Sequence, residues 1–127
     1  MTMVKGIGVD IIEIDRIRRS IESIGDRFLS KVYTGTEIAY CDAKANRYQH
    51  YAARFAAKEA LSKALSTGWA GEFRWKDVEV TNAPSGQPHI TLHGTLAEHL
   101  AGATVMLSMS HSESHVVAMV LIEDAQT

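Results

Sequence analysis

The stretch Arg54-Phe55-Ala56-Ala57-Lys58-Glu59-Ala60-Leu61-Ser62-Lys63-Ala64-Leu65 constrains this chain more than any other. Alanine, leucine, lysine, arginine and glutamate are strong helix formers and no proline interrupts them, so the stretch is expected to be a helix. At about 100° per residue, Ala53, Ala57, Ala60 and Ala64 share one side. A face with so little side chain lets another element approach the helix backbone closely. Glu59 and Lys63 stand together on one edge, and Arg54 and Lys58 pair on another. Such i,i+4 pairs ordinarily mark a solvated helix surface and contribute only about 0.2–0.5 kcal/mol each. A chemical reading of them depends on what the rest of the chain brings alongside.

Residues 3–12 read as a strand. Ile7, Val9 and Ile11 alternate toward one face, and Gly6, Gly8 and Asp10 share the other. Two glycines ending in a carboxylate leave bare backbone. The ordinary reading is a strand crossed closely by another element; the sharper one is a site where something bulky approaches Asp10. The pattern is not a dinucleotide fingerprint, which needs a third glycine opening the next helix. Ile14, Ile17, Ile21 and Ile24 then repeat at helical spacing, with Gly25 as the stop. Arg16 and Arg19 project from the side opposite this stripe, either as a solvated face or as a docking surface for an acidic macromolecule.

Residues 26–46 hold another helical region, with Thr34 or Thr36 capping a helix that begins near Glu37. Thr67-Gly68 is the expected end of the central helix, and residues 69–75 read as a loop. Residues 78–80 and 89–92 alternate around a long, proline-bracketed turn, which predicts a hairpin. A short helix over 95–101 is stopped by Gly102. Val105, Leu107 and Met109 alternate against their neighbours. The run 115–122 is nearly all apolar, as expected of a strand buried on both faces. The tail 123–127 is expected to fray. With no repeat or dividing linker, residues 1–127 read as one α+β domain whose antiparallel sheet comes mostly from the C-terminal half.

Several functions are disfavoured. The net charge of −2 supplies no overall positive field for nucleic acid. No apolar run reaches the roughly 20 residues of a membrane span. The start lacks the pattern of a signal peptide. Cys41 is the lone cysteine, read as a small core residue. These features point to a reducing compartment, with the cytoplasm as the expectation. The histidines lack zinc-ligand spacing, and neither a nucleophile elbow nor a Walker A sequence occurs.

Asp10 and Glu59 remain as carboxylates in unusual settings. Such a pair, with water, can hold Mg²⁺, which prefers oxygen ligands and completes its shell with substrate phosphates. Lys63, Arg54 and Lys58 are placed to hold those phosphates. His111, at a strand end, can donate to a phosphate, although a lone histidine is more often an ordinary surface or core residue.

Three stretches together resemble a known family. They are Gly6-Ile7-Gly8-Val9-Asp10-Ile11, then Arg54-Phe55-Ala56-Ala57-Lys58-Glu59-Ala60 with Lys63-Ala64, and Leu107-Ser108-Met109-Ser110-His111 before an apolar strand. Their order and spacing are similar to those of the holo-acyl-carrier-protein synthases, the small bacterial 4′-phosphopantetheinyl transferases. Gly86-Gln87-Pro88 resembles the family's Gly-Lys-Pro, with Gln87 where lysine is usual. Ser112-Glu113-Ser114-His115 departs from versions with an aromatic residue before the last strand. The resemblance implies the 4′-phosphopantetheinyl transferase fold. It also implies Mg²⁺-dependent transfer of phosphopantetheine from coenzyme A to a serine of apo-acyl carrier protein, in fatty acid biosynthesis, releasing adenosine 3′,5′-bisphosphate. Asp10 and Glu59 match the metal ligands and Lys63 a lysine near the pyrophosphate. Arg54 and His111 match positions near the nucleotide phosphates. The resemblance further implies a homotrimer with shared sites, and a basic docking helix of Arg16 and Arg19, with Arg27 and Phe28 just beyond. Glu59 is the candidate base for the serine proton, with Lys63 or bulk water as alternatives. A non-catalytic coenzyme A or nucleotide-binding oligomer is the competing reading, and a purely structural oligomer module a third.

Overall fold

Strand β1 (Thr2–Glu13) runs directly into helix α1 (Ile14–Ile24), and helices α2 (Asp26–Val32), α3 (Gly35–Asp42) and α4 (Arg47–Ala64) follow. After a 3₁₀ turn at Trp75–Asp77 come β2 (Val78–Asn82), β3 (Pro88–Leu92), α5 (Gly94–His99), β4 (Ala103–His111) and β5 (His115–Ala125). The computed structural model describes residues 2–65 and 71–125. The expected helix stop at Thr67-Gly68 and the start of the following loop lie outside the described residues.

The sheet is antiparallel in the order β1-β5-β4, and β2 and β3 form a separate hairpin. α4 crosses β1 on the two glycines. A Cβ on Gly6 would sit 2.1 Å from the Ala64 carbonyl oxygen, and one on Gly8 would sit 1.9 Å from that of Ala60. Neither position tolerates a side chain, because the obstacle is backbone. Ala57 and Ala60 are fully buried at this crossing. The small face of the helix and the thinned face of the strand therefore meet, as their two periodicities predict. α4 starts at Arg47, earlier than expected, because burial of Tyr51 and Ala52 carries the helix back beyond its best formers.

Among the described residues, one face of the sheet is covered. Ile12, Val116, Ala118, Val120 and Ile122 are buried beneath the helices. On the other face Ile7, Val9 and Ile11 are 61, 55 and 67% exposed, and Met106 and Met119 are 42% exposed. The expectation that β5 is buried on both faces is thus corrected for the single chain, which has one helical layer to offer. Residues 123–125, expected to fray, are instead held in β5: Glu123 pairs with Val4 and Asp124 with Met3 across to β1. The hairpin zips two pairs beyond the expected residues 78–80, Thr81 facing His89 and Asn82 facing Pro88, and Gly86 at φ 91° turns the shortened loop.

The helical region expected over 26–46 divides in two. Gly25, at φ 74°, ends α1, whose Ile17 and Ile21 are buried while Ile24 stays 45% exposed. Thr34 caps α3 in a capping box with Glu37. That glutamate is fully buried, as is Lys58. Lys58 Nζ donates to Glu37 Oε1 at 2.7 Å, to Val32 O at 2.7 Å and to Trp75 O at 3.0 Å. Glu37 also accepts from the backbone N–H of Thr34 at 2.9 Å and of Val80 at 2.8 Å. One ion pair thus ties α2, α3, α4, the 3₁₀ turn and β2 together. Trp75, expected to be loop, opens the 3₁₀ turn and stacks on Phe55 at 5.0 Å between ring centres.

Candidate active site

Close packing at Gly8 and Ala60 fixes what lies beside them. Asp10 is the next residue on the glycine face of β1, and Glu59 and Lys63 are on the adjoining edge of α4. Lys63 Nζ donates to Asp10 Oδ1 and to the Val9 carbonyl, both at 3.1 Å. The Glu59 carboxyl is held above its usual range, first by burial and then by the negative charge of Asp10, with Lys63 and Arg16 acting in the opposite direction. Two carboxylates therefore share one electrostatic environment, and an ammonium sits on one of them.

This donor set fits a hard divalent cation. Asp10 and Glu59 offer oxygen only, and among the described residues no group of three or more His, Cys, Asp or Glu side chains comes together. The protein would supply two carboxylates, and water and phosphate the remainder, which is the arrangement magnesium accepts. Lys63 occupies the position of the compensating charge, and its side chain is 55% exposed.

A second constellation lies one and a half turns toward the start of α4, about 7.5 Å along the helix. Arg54, Gly86, Pro88 and His111 line one cavity of about 250 Å³ with Tyr40, His50 and Asn82. Arg54 is 1% exposed. Its Nη2 donates to Asn82 Oδ1 at 2.6 Å, and its guanidinium lies 4.3 Å from the centre of the Tyr40 ring. Its Nε is buried with no hydrogen-bond partner among the described residues. His50 is held below its usual pKa by burial and by the positive neighbours Arg54, Lys44 and His111. Tyr40, His50 and Asn82 were not singled out from the sequence. Only the turn-rich setting of Asn82 was visible there, and nothing local marks the other two.

Other expected site residues stand elsewhere. The reading of Lys58 as a phosphate contact is corrected: burial inside the Glu37 network occupies all three of its N–H donors. The solvated-edge reading of Arg54 and Lys58 fails with it, since both are buried. Arg19 is exposed and paired with Asp15, which also holds Arg18. Arg16 and Arg27 are exposed. The charge of Arg16 reaches Glu59, so the start of α1 borders the carboxylates. Phe28 is half-buried and stacks on Phe55 at 6.4 Å, anchoring α2 to α4. Cys41 is fully buried, and burial pushes its thiol up to about 12, in keeping with a core role.

Comparison with known proteins places the chain among relatives. Residues 6–120 match the 4′-phosphopantetheinyl transferase superfamily. The chain is 48% identical over 125 residues to a holo-[acyl-carrier-protein] synthase of Koribacter versatilis, covering 96% of this chain and all of that one. It is 47% identical over 118 residues to one from Chlamydia trachomatis, covering 93% and 98%. Among solved structures, the holo-[acyl-carrier-protein] synthase of Neisseria meningitidis aligns with a TM-score of 0.84 at 32% identity, covering 94% and 98%. One from Bacillus anthracis, in complex with CoA (3′,5′-ADP), aligns at 0.80 and 35% identity, covering 97% and 99%.

Proposed function

The chain belongs to the 4′-phosphopantetheinyl transferase superfamily, and we propose that Asp10, Glu59 and Lys63 carry out its reaction, the transfer of 4′-phosphopantetheine from coenzyme A to a serine of apo-acyl carrier protein. The observation that carries this assignment is the meeting of Lys63 with Asp10 at 3.1 Å, beside a Glu59 that feels both charges. The whole of residues 1–127 serves as one transferase domain.

Attack by the serine hydroxyl on the β-phosphate of coenzyme A builds negative charge on the phosphoryl oxygens and on the departing adenosine 3′,5′-bisphosphate. Asp10 and Glu59 would hold Mg²⁺ against the diphosphate, and the bound ion supplies charge neutralisation there. Lys63, half-exposed, turns its ammonium from Asp10 to the phosphate oxygens and stabilises the same charge. Glu59 accepts the serine proton. Arg54 and His111 hold the nucleotide phosphates, with Gly86 and Pro88 forming the wall of the cavity. Incubating apo-carrier protein with this chain, coenzyme A and Mg²⁺ is expected to add one phosphopantetheine to the serine by mass spectrometry. Binding of coenzyme A without any gain in mass would overturn transfer and leave the non-catalytic reading.

The carrier protein docks on the basic side of α1, where Arg16 adjoins the carboxylates. Arg16→Glu is expected to raise KM for carrier protein about tenfold or more, with KM for coenzyme A unchanged within twofold, because charge reversal acts on the acidic partner's encounter. Equal effects on both substrates in steady-state kinetics would remove the docking role.

The working assembly is a homotrimer with sites shared between neighbouring subunits. The bare sheet face, with Ile7, Val9, Ile11, Met106 and Met119 exposed, supports burial by other copies. Sedimentation is expected to give three times the 13.9 kDa chain mass; a monomer under assay conditions would overturn it. We place the enzyme in the cytoplasm, where a lone, buried Cys41 suits a reducing medium. Among the described residues no helix is long and apolar enough to cross a membrane. Cell fractionation that found the activity elsewhere would overturn this placement.

A further inference from the structure

The β2–β3 hairpin gives the chemistry only a wall, at Gly86 and Pro88, and its turn closes the cavity over Arg54. Asn82 makes the connection. Its Oδ1 accepts from Arg54 Nη2 at 2.6 Å, and its Nδ2 donates to the Gly86 carbonyl at 3.0 Å. The two bonds fix the orientation of the amide, since each end has the partner its chemistry requires. The guanidinium carbon lies over the Tyr40 ring. Arg54 is therefore held through Nη2 and against the Tyr40 ring, and its buried Nε–H is left without a partner among the described residues. A buried donor is seldom left unpaired unless something outside the chain completes it.

The surroundings indicate what does so. Among the described residues no Asp or Glu lines this cavity, while His50 and His111 do, and the charge of Lys44 reaches His50. An anion suits such walls. The identity of residue 82 matters for the same reason. A carboxylate there would orient Arg54 equally well but would cancel its charge. The neutral amide orients the guanidinium and leaves the charge available.

We propose that Asn82 is a positioning residue for the phosphate-bearing end of coenzyme A. It holds Arg54 and the Gly86 turn in the arrangement that presents Arg54 Nε–H to a phosphate oxygen. The proposal rests on the transferase reading for its ligand and adds to it a residue that touches neither the carboxylates nor Lys63.

The test uses two variants and two readouts. Asn82→Ala is expected to raise KM for coenzyme A about tenfold, with kcat and KM for carrier protein within twofold of wild type. Calorimetry with adenosine 3′,5′-bisphosphate is expected to show the same tenfold loss of affinity. Asn82→Asp separates charge presentation from simple bracing of the hairpin. Both variants lose the donor to the Gly86 carbonyl, so bracing alone predicts equal losses of coenzyme A binding, whereas a carboxylate that also cancels the Arg54 charge predicts a loss larger than that of alanine. Unchanged coenzyme A KM in Asn82→Ala, a loss confined to kcat, or a loss in Asn82→Asp no larger than that in Asn82→Ala would each overturn the proposal. Should Asn82→Ala fail to fold, the aspartate variant decides, and full binding by it would overturn the proposal. If wild-type protein bound the bisphosphate but modified no carrier protein, transfer would fall while the calorimetric comparison still judged Asn82.

Discussion

Glu59→Gln and Asp10→Asn are each expected to lower kcat/KM for carrier-protein modification by about a thousandfold, with the fold and the assembly intact. Both replacements keep the shape of the side chain and change only charge and one hydrogen-bonding group. Neither residue is fully buried, so the cost to folding is small. On the proposed assignment the cost to chemistry is large, because the two carboxylates then work as a unit. Each amide removes half of the proposed anionic donor set for a divalent cation, and Glu59→Gln also removes the proposed acceptor for the serine proton. Asp10→Asn also releases Lys63 from its ion pair, but an ammonium already assigned to the phosphate oxygens does not replace the lost carboxylate. Circular dichroism and sedimentation should match wild type, and raising Mg²⁺ should recover part of the activity of Asp10→Asn. Near-normal turnover in either variant at ordinary Mg²⁺ would remove the pair from the active site.

The carboxylate pair was legible in the sequence because two simple periods point at it. Alternation of two puts Asp10 on the glycine face of β1. The helical period puts Glu59 and Lys63 beside Ala60 and Ala64. Glycine facing alanine then specifies a contact that admits almost no alternative register, since a Cβ at position 8 would meet the Ala60 carbonyl at 1.9 Å. Lys58 was not legible. An i,i+4 charge pattern says which residues share an edge but not whether another element covers that edge. Its true partner, Glu37, lies 21 residues away in a capping box that is recognisable locally only as a helix start. Asn82 was hidden in the same way: it reads as a turn residue, and its bond to Arg54 spans 28 residues. β5 shows a further limit. A strand apolar on both sides has the same sequence whether its second face meets a helix of its own chain or another copy.

Glu37→Gln is expected to destabilise the protein by about 3–5 kcal/mol, the cost of breaking a buried ion pair by removing one partner. The geometry explains why an amide cannot substitute. Glu37 Oε1 accepts from Lys58 and from Thr34 N, and Oε2 accepts from Val80 N. Every partner is a donor, so whichever way a glutamine is turned, its NH₂ confronts an N–H with no acceptor between them. Lys58 is left buried and charged without its anion. Burial already holds its pKa below the usual 10.5, and Glu37 is the leading influence opposing that shift. Removing Glu37 lowers the folded-state pKa further. Between that value and the wild type's own lowered pKa the folded variant binds fewer protons than folded wild type, so stability of the variant rises with pH relative to wild type. Denaturant titrations at fixed protein concentration should therefore show a deficit that is largest near neutrality and shrinks toward pH 10. Adding Lys58→Met to Glu37→Leu should recover much of the loss, because a packed apolar pair costs no desolvation. A deficit under 1 kcal/mol, or one that does not change from pH 7 to 10, would show that the charge pair is not what holds α3 and β2 to the central helix.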